Sequence, residues 1–477
     1  MTFTPRHTAA GATALACLAT LTVATGFAPT ATADEPGPDN RPNIVLILVD
    51  DMRTDDLARM PVTNQLLVDN GMTFTNAYAT FPLCCPSRAS ILTGQYPHNT
   101  GVLNNRAPLG GFSKLNDANT IGTWLDSSGY ATGYLGKYLN QYGGLDPTYV
   151  PPGWDQWEAI VGGLARPNDP QKFNVNGTEE TRVGHQTDIL TERATEFLST
   201  HAEHPMFLHL AYTAPHQSKT RTGWNPPLAA PRHEHAFDGL PAPTSPAYNE
   251  EDMSDKPEPL QMPLLDEAGM AYTQALAEQR AEALLAVDEG VQQLVDALQA
   301  AGELDNTYFV FTSDNGYFLG EHRRRLGKHE HYEESSGVPL VIRGPGIPVG
   351  STDAVVGGHD LAPTFLGLAE SWGAVQDFVL DGRDLLPLAQ DPSRPANRDL
   401  LIQAVRPASG GLDYFAVRSE DGWKYVRYAN GTAEMYDLNT DPHELDNLAG
   451  KEEFAAVEQD LQQRLTQIEA CSGDACR

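Results

Sequence analysis

Two adjacent cysteines, Cys84 and Cys85, stand in the interior of the chain in "FPLCCPSRASILTG", directly before Pro86, Ser87 and Arg88. A cysteine can serve as a nucleophile, a metal ligand or a small buried hydrophobe. Neighbouring cysteines rarely bond to each other, because adjacent Cα atoms sit about 3.8 Å apart, below the usual disulfide range. The other three cysteines are Cys17, near the start, and Cys471 and Cys476 in "CSGDACR". In an oxidising compartment the last two are expected to close a small loop on each other, which leaves Cys84 and Cys85 unpaired. Two polar pairs could also do chemistry: Asp50 and Asp51 in "LVDDMR", and Asp314 and Asn315 in "TSDNG". Such oxygens are hard metal ligands, although polar pairs after strands are often turn formers or caps. Cations and histidines complete the set: Arg88, Lys137 in "GYLGKYLNQYG", His216 in "TAPH", and His322 and Lys328 in "GEHRRRLGKHEHYEE". Arg323, Arg324 and Arg325 read as solvated surface.

The elements that must position these groups are legible as apolar runs. "RPNIVLILVDD" has the length and Ile/Val/Leu content of a buried parallel strand and ends in two carboxylates. "PMFLHLAYTAPH" (205–216) and "NTYFVFTSDNG" (306–316) repeat the pattern, each finishing in polar residues. Between them, residues 271–302 carry apolar side chains at helical spacing and end in glycine. Alternation of this kind predicts an α/β sandwich with its chemistry at the carboxyl ends of three strands. Residues 217–265 are rich in Pro, His and charge and are expected to form a long surface excursion, functional or disordered. From about residue 397, "RDLLIQAV", "YFAVRSE", "WKYVRYAN" and "AEMYDL" predict a small antiparallel sheet, followed by a helix in "EEFAAVEQDLQQRLTQIEA".

The first 33 residues run from a basic start at Arg6 through an Ala-rich apolar stretch to Ala31-Thr32-Ala33, an A-x-A pattern. This predicts a signal peptide cleaved after Ala33, a short linker at 34–41 and a secreted protein with no stable membrane anchor. The net charge of −31 argues against nucleic acid or acidic membranes as partners. It also repels anions at long range, so an anion site must be built from local positive charge.

"CCPSRASILTG" fits C-x-P-S-R-x-x-x-L-T-G, the signature of the sulfatase family, with Cys84 in the first position. Seven specified positions at about one in twenty each make chance a remote rival, about one in a billion per window. The resemblance covers roughly residues 42–450 and includes "HDLAPTFLGLAE" and "EMYDLNTDPHELDNLA". It implies an alkaline phosphatase-like α/β fold, with a mostly parallel central sheet flanked by helices and a small C-terminal antiparallel sheet with a helix. The catalytic domain would span 42–396 and the subdomain 397–477. It also implies that Cys84 is oxidised to formylglycine by a formylglycine-generating enzyme, with Cys85 at a variable position. The hydrated aldehyde offers one hydroxyl to attack sulfur and a second to expel sulfate, a covalent route with its own release step.

By the same resemblance Asp50, Asp51, Asp314 and Asn315, with the modified Cys84, hold a divalent cation. Three carboxylates and an amide oxygen suit Ca²⁺ better than zinc. Arg88 would hold the hydrated aldehyde, Lys137 and Lys328 would clamp the sulfate oxygens, and His216 with Lys328 would assist the leaving alcohol. His322 is a candidate to line the site, and His359 and Asp360 are expected to be structural. Many sulfatases place a histidine two residues after the signature lysine, whereas here the sequence reads Lys137-Tyr138-Leu139-Asn140. Leu139 cannot take a proton. His322, or Asn140 through water, could replace it. The G-K-Y-L-N form and "CCPSRASILTG" followed by "YPHN" resemble N-acetylglucosamine-6-sulfatases, which points to sulfated sugars of the glycosaminoglycan type. The rivals are an arylsulfatase or phosphonate/phosphodiester hydrolase on the same scaffold, and an inert sugar-binding relative with unmodified Cys84.

Overall fold

Alternate residues of the "NIVLILV" run face opposite ways, and both sides are buried. A computed structural model describes residues 39–162, 169–220, 223–405 and 413–477. The predicted signal peptide lies outside the described residues. The strands, in chain order, are β1 (Asn43–Val49), β2 (Met72–Tyr78), β3 (Ala131–Gly136), β4 (Gln156–Val161), β5 (Gln171–Val175), β6 (Thr178–Arg182), β7 (Met206–Ala211), β8 (Ser218–Thr220), β9 (Gly223–Asn225), β10 (Thr307–Ser313), β11 (Leu340–Arg343), β12 (Gly350–Gly357), β13 (Leu400–Ala404), β14 (Tyr414–Arg418), β15 (Trp423–Tyr428) and β16 (Ala433–Asp437). Ten of them form one sheet in the order β12-β2-β11-β10-β1-β7-β3-β4-β5-β6. β10, β1, β7, β3 and β4 run parallel at its centre, and β11 and β5 are antiparallel to their neighbours.

Ile44, Leu46 and Leu48 of β1 join the core on one face, with helices Cys84–Thr93, Ile121–Ser127 and Leu361–Leu368. Val45, Ile47 and Val49 join the other, with helices Gln186–Thr200 and Glu267–Ala301. A strand covered on both sides has no solvated face, which is why the run carries no polar alternation. Truncating one of these fully buried leucines to alanine costs about 2–5 kcal/mol, part lost transfer energy and part cavity.

The 35-residue helix Glu267–Ala301 begins where Asp266 accepts the Gly269 N–H at 2.8 Å and stops at Gly302, whose φ of +78° glycine adopts readily. β13 to β16 pair antiparallel in sequence order and are backed by helix Ala455–Ile468, which buries Leu461 and Leu465 one turn apart against them. Cys471 and Cys476 form the expected disulfide.

The segment after His216 is more anchored than its composition implies. It contains the β8–β9 hairpin, and Glu250, Met253, Lys256 and Leu260 are buried. Arg323 donates to the carbonyls of Glu250, Glu251 and Met262 at 2.7–2.9 Å, and Asn447 donates to Asp255. These partners are far apart in sequence, so no local pattern reveals them. No helix among the described residues is long and apolar enough to cross a membrane.

Candidate active site

Three neighbouring parallel strands end at the same edge of the sheet. Val49 of β1 pairs with Ser313 of β10, and Leu48 with Ala211 of β7. The residues that follow, Asp50-Asp51, Asp314-Asn315 and the Thr213–His216 turn, therefore converge. Asp51 has a φ of +67°, a left-handed conformation that aspartate tolerates better than most residues. Its N–H donates to Asp314 Oδ1 at 3.1 Å, and its carbonyl accepts from the fully buried Arg280.

Cys84 enters from the sheet's helical face as the first residue of helix Cys84–Thr93, all of whose residues are buried. Pro86 fits the first turn, where no N–H bond is required. Gly94 ends the helix at φ +69°, and a Cβ there would stand 2.8 Å from Leu380 Cδ2. The dipole of this helix favours negative charge at its N-terminus, where Cys84 stands.

The groups read from the sequence meet here. Cys84 Sγ lies 3.6 Å from Asp50 Oδ1 and 2.8 Å from Lys328 Nζ. Lys328 also pairs with Asp51 and stands 3.3 Å from Asn315 Oδ1, while Lys137 pairs with Asp50. Arg88 donates from Nε to Asp314 Oδ2 at 2.7 Å and from Nη1 to the Lys137 carbonyl at 2.6 Å. His216 Nε2 is 3.7 Å from Asp51 Oδ2, and its Nδ1 is 2.6 Å from the Gln217 carbonyl, so Nδ1–H donates and Nε2 faces the site. Asp50, Asp51, Cys84 and His216 each offer one ligand atom within 4.8 Å of the others.

Burial would raise Asp50, but Lys137, His216, Arg88 and Lys328 outweigh it and hold the carboxyl well below the usual carboxylate range. Asp314 moves the other way, raised by burial and by Asp50. Burial pushes the Cys84 thiol up to about 11 against the pull of Lys137 and Lys328. Burial also lowers His216, against Asp51 and Asp50.

A divalent cation fits this donor set. Asp50, Asp51, Asp314 and Asn315 are almost wholly buried, and hard oxygen donors of this kind match Ca²⁺ or Mg²⁺.

His322 is not brought into this group. It is fully buried, its Nδ1 is 2.9 Å from Glu250 Oε2, and its ring stacks on Tyr332 at 3.8 Å. It stands with Glu334 and Glu444 in a separate cluster. Asn140 is tied into the chain near Cys85, its carbonyl accepting from Phe112, and its buried side-chain Oδ1 has no hydrogen-bond partner among the described residues. His359 and Asp360 are fully buried, and Asp360 pairs with Arg398. His98 bonds the Cys471 carbonyl and Gln403 beside the Cys84 helix.

Several supporting residues are not among the candidates named from the sequence. Tyr134 Oη donates to the Lys137 carbonyl at 2.6 Å, Asn105 Oδ1 accepts from the Cys85 N–H at 2.8 Å, and Ser313 Oγ accepts from Met52 N–H at 2.9 Å. Ser313 could have been flagged as the residue beside Asp314. Tyr134 lies three residues before Lys137 in the quoted stretch, whereas Arg280 and Asn105 carry no local signal.

A mostly parallel sheet that gathers carboxylates, lysines and a helix-borne cysteine at its carboxyl edge defines a hydrolase of the alkaline phosphatase-like class. The Sulfatase family matches residues 42–371, and the family described as N-sulphoglucosamine sulphohydrolase, C-terminal, matches residues 320–471. The chain belongs to the sulfatase family and is a sulfuric ester hydrolase. It is similar to an arylsulfatase of Volvox carteri, 32% identical over 91% of this chain and 76% of that protein. It is equally similar to the N-acetylglucosamine-6-sulfatase of Capra hircus, 32% identical over 92% of this chain and 85% of that one. A solved structure in complex with its substrate D-glucosamine-2-N,6-O-disulfate superimposes with a TM-score of 0.75 at 26% identity, covering 89% of this chain and 97% of that one.

Proposed function

We propose that the chain hydrolyses an O-sulfate ester on a sugar of the N-acetylglucosamine-6-sulfate or glycosaminoglycan type, after export and cleavage following Ala33. The observation that carries the reading is the convergence of Cys84 with Asp50, Asp51, Lys137 and Lys328 at one strand edge. Its choice of sugar rests on the G-K-Y-L-N stretch and on the N-acetylglucosamine-6-sulfatase relative.

In this reading Cys84 is matured to formylglycine by a formylglycine-generating enzyme, and Asp50, Asp51, Asp314 and Asn315 hold Ca²⁺. The aldehyde hydrate supplies a hydroxyl nucleophile and the ion supplies positive charge at a sulfate oxygen. The chain's own residues do the rest. Lys137 and Lys328 donate to the remaining sulfate oxygens, where charge grows as the ester bond breaks. Arg88, locked between Asp314 and the Lys137 carbonyl, holds the nucleophile's side of the site. His216, fixed by the Gln217 carbonyl, directs Nε2 toward the leaving alcohol oxygen, and the Lys328 ammonium, held charged by Asp51, supplies the proton there.

Mass spectrometry of the secreted protein tests the nucleophile: the peptide with Cys84 should be about 18 Da lighter than its cysteine form, as replacement of CH₂SH by CHO requires for covalent catalysis. Turnover of N-acetylglucosamine-6-sulfate should exceed that of an aryl sulfate and of a phosphonate monoester. The opposite order would overturn the sugar assignment, and an unmodified thiol from a host that makes formylglycine would favour an inert sugar binder.

A further inference from the structure

We propose that Arg325 forms an anion subsite at the rim of the reaction centre, which takes a second negatively charged substituent of the substrate: a sulfate or carboxylate on the same or the adjoining sugar. This deepens the sugar-sulfatase reading and rests on it. The run Arg323-Arg324-Arg325 reads in sequence as uniform solvated surface, but the structure divides it. Arg323 spends its guanidinium on three carbonyls of the 250–262 segment. Arg324 pairs with Glu330 at 3.0 Å. Arg325 is exposed and, among the described residues, has neither a hydrogen-bond nor an ion-pair partner. In a chain with 63 acidic and 32 basic residues, a guanidinium left unneutralised beside a site for anions is a candidate ligand group.

Its position ties it to the reaction centre from two sides. The backbone around it is pinned, since the Gly320 N–H donates to the Arg324 carbonyl and the Phe318 N–H to the Gly327 carbonyl, both at 2.8 Å. Three residues on, Lys328 reaches Cys84 Sγ. On the other side the Arg325 guanidinium lies 4.9 Å from the centre of the Tyr272 ring. Tyr272 Oη accepts from Gln217 Nε2 at 3.4 Å, and the Gln217 carbonyl fixes His216. Arg325, Tyr272, Gln217 and His216 thus form a continuous chain of neighbours. A guanidinium resting on an aromatic ring keeps its N–H edge free and loses little rotamer freedom on binding, which suits it to a planar carboxylate or a sulfate.

The test compares kcat/KM of wild type, Arg325→Ala and Arg325→Lys on N-acetylglucosamine-6-sulfate and on glucosamine-2-N,6-O-disulfate. Removing one charge-assisted hydrogen bond should lower kcat/KM for the disulfate about tenfold more than for the monosulfate, mainly through KM, with partial recovery in Arg325→Lys. Equal losses on both substrates, or none on either, would overturn the subsite. If matured wild type turns over neither sugar, the sugar-sulfatase reading fails on its own. Calorimetry of the disulfate with the Cys84→Ala protein then decides the subsite: weaker binding after Arg325→Ala supports it, and unchanged or undetectable binding overturns it.

Discussion

Lys328 Nζ stands 2.8 Å from Cys84 Sγ and 3.3 Å from Asn315 Oδ1, joining three segments of the chain at one point. Its side chain is 10% exposed, and Asp51 holds the ammonium charged, against the cost of burial. A donor fixed this way needs little reorganisation when charge develops on a sulfate oxygen.

Lys328→Ala should therefore lower kcat by about 10²- to 10³-fold, the usual effect of removing one preorganised donor. Cys84→Ala should abolish turnover. Both proteins should keep the wild-type circular dichroism spectrum. Cys85→Ser should keep most activity, because Cys85 lies among the helix's buried residues and its N–H, not its thiol, bonds Asn105. Full activity without Cys84 would refute the mechanism.

Chelation should inactivate the enzyme and lower its Tm, because the paired carboxylates Asp50, Asp51 and Asp314 would then face each other without the ion. Calcium should restore activity better than zinc, given the all-oxygen protein donors. Activity that survives exhaustive dialysis against chelator, with no calcium found by elemental analysis, would contradict the assignment of Asp50, Asp51, Asp314 and Asn315 as ligands.

Glu434 and His331 set a pH window for stability. Glu434 accepts from Tyr428 at 2.6 Å, from Tyr332 at 3.0 Å and from Tyr436, and lies 3.6 Å from His331. Burial would raise Glu434, but the charge and hydrogen bond of His331, then the tyrosines, bring it down to about 2 from an ordinary 4.5. Burial would lower His331, yet Glu434 and Glu444 raise it above 6.5. The carboxylate's contribution is complete above 4.5 and lost as pH falls toward 2. The imidazolium's is complete below 6.5 and lost as pH rises through the raised value. Glu434→Gln should thus cost most near pH 5.5, about 3–5 kcal/mol for a broken buried pair. Thermal melts at pH 5.5 and 9 should show a smaller gap at the higher pH.

The disulfide Cys471–Cys476 closes a loop of separation five, and the Cys471 carbonyl accepts from His98 at 2.9 Å and Asn99 at 2.8 Å. The chain-entropy relation for so short a loop gives about 2 kcal/mol. The Cys471→Ser/Cys476→Ser protein should lose about that much in denaturant melts while kcat on the preferred sugar sulfate stays the same. A large fall in kcat would mean that the chain end also positions the Cys84 helix.

The strands that carry the site are legible in the sequence because each buries both faces. Seven consecutive residues of β1, six of them apolar, leave no other stable arrangement than the middle of a sheet, and the polar residues at its end must then lie at an edge. The long helix is legible from its spacing and its closing glycine, and the C-terminal sheet from its short alternating runs. The excursion after His216 reads as surface, yet it is anchored, because Glu250, Lys256 and Asp255 find their partners in segments distant in sequence. His322 is close to Lys328 in sequence, which makes it a candidate for the site, but the turn between them sends it to Glu250.

Sequence alone determined the family, through seven fixed positions around Cys84, and the identity of the charged groups that meet there, since each sits in a local motif. Only the tertiary structure decided which of them touch. Strand order in the sheet brings Asp50, Asp314 and His216 to one edge. Packing also divides three consecutive arginines into two that are paired within the fold and one that, among the described residues, is left to solvent. Such choices depend on which segments exclude water together, a property of the folded surface and not of neighbouring residues.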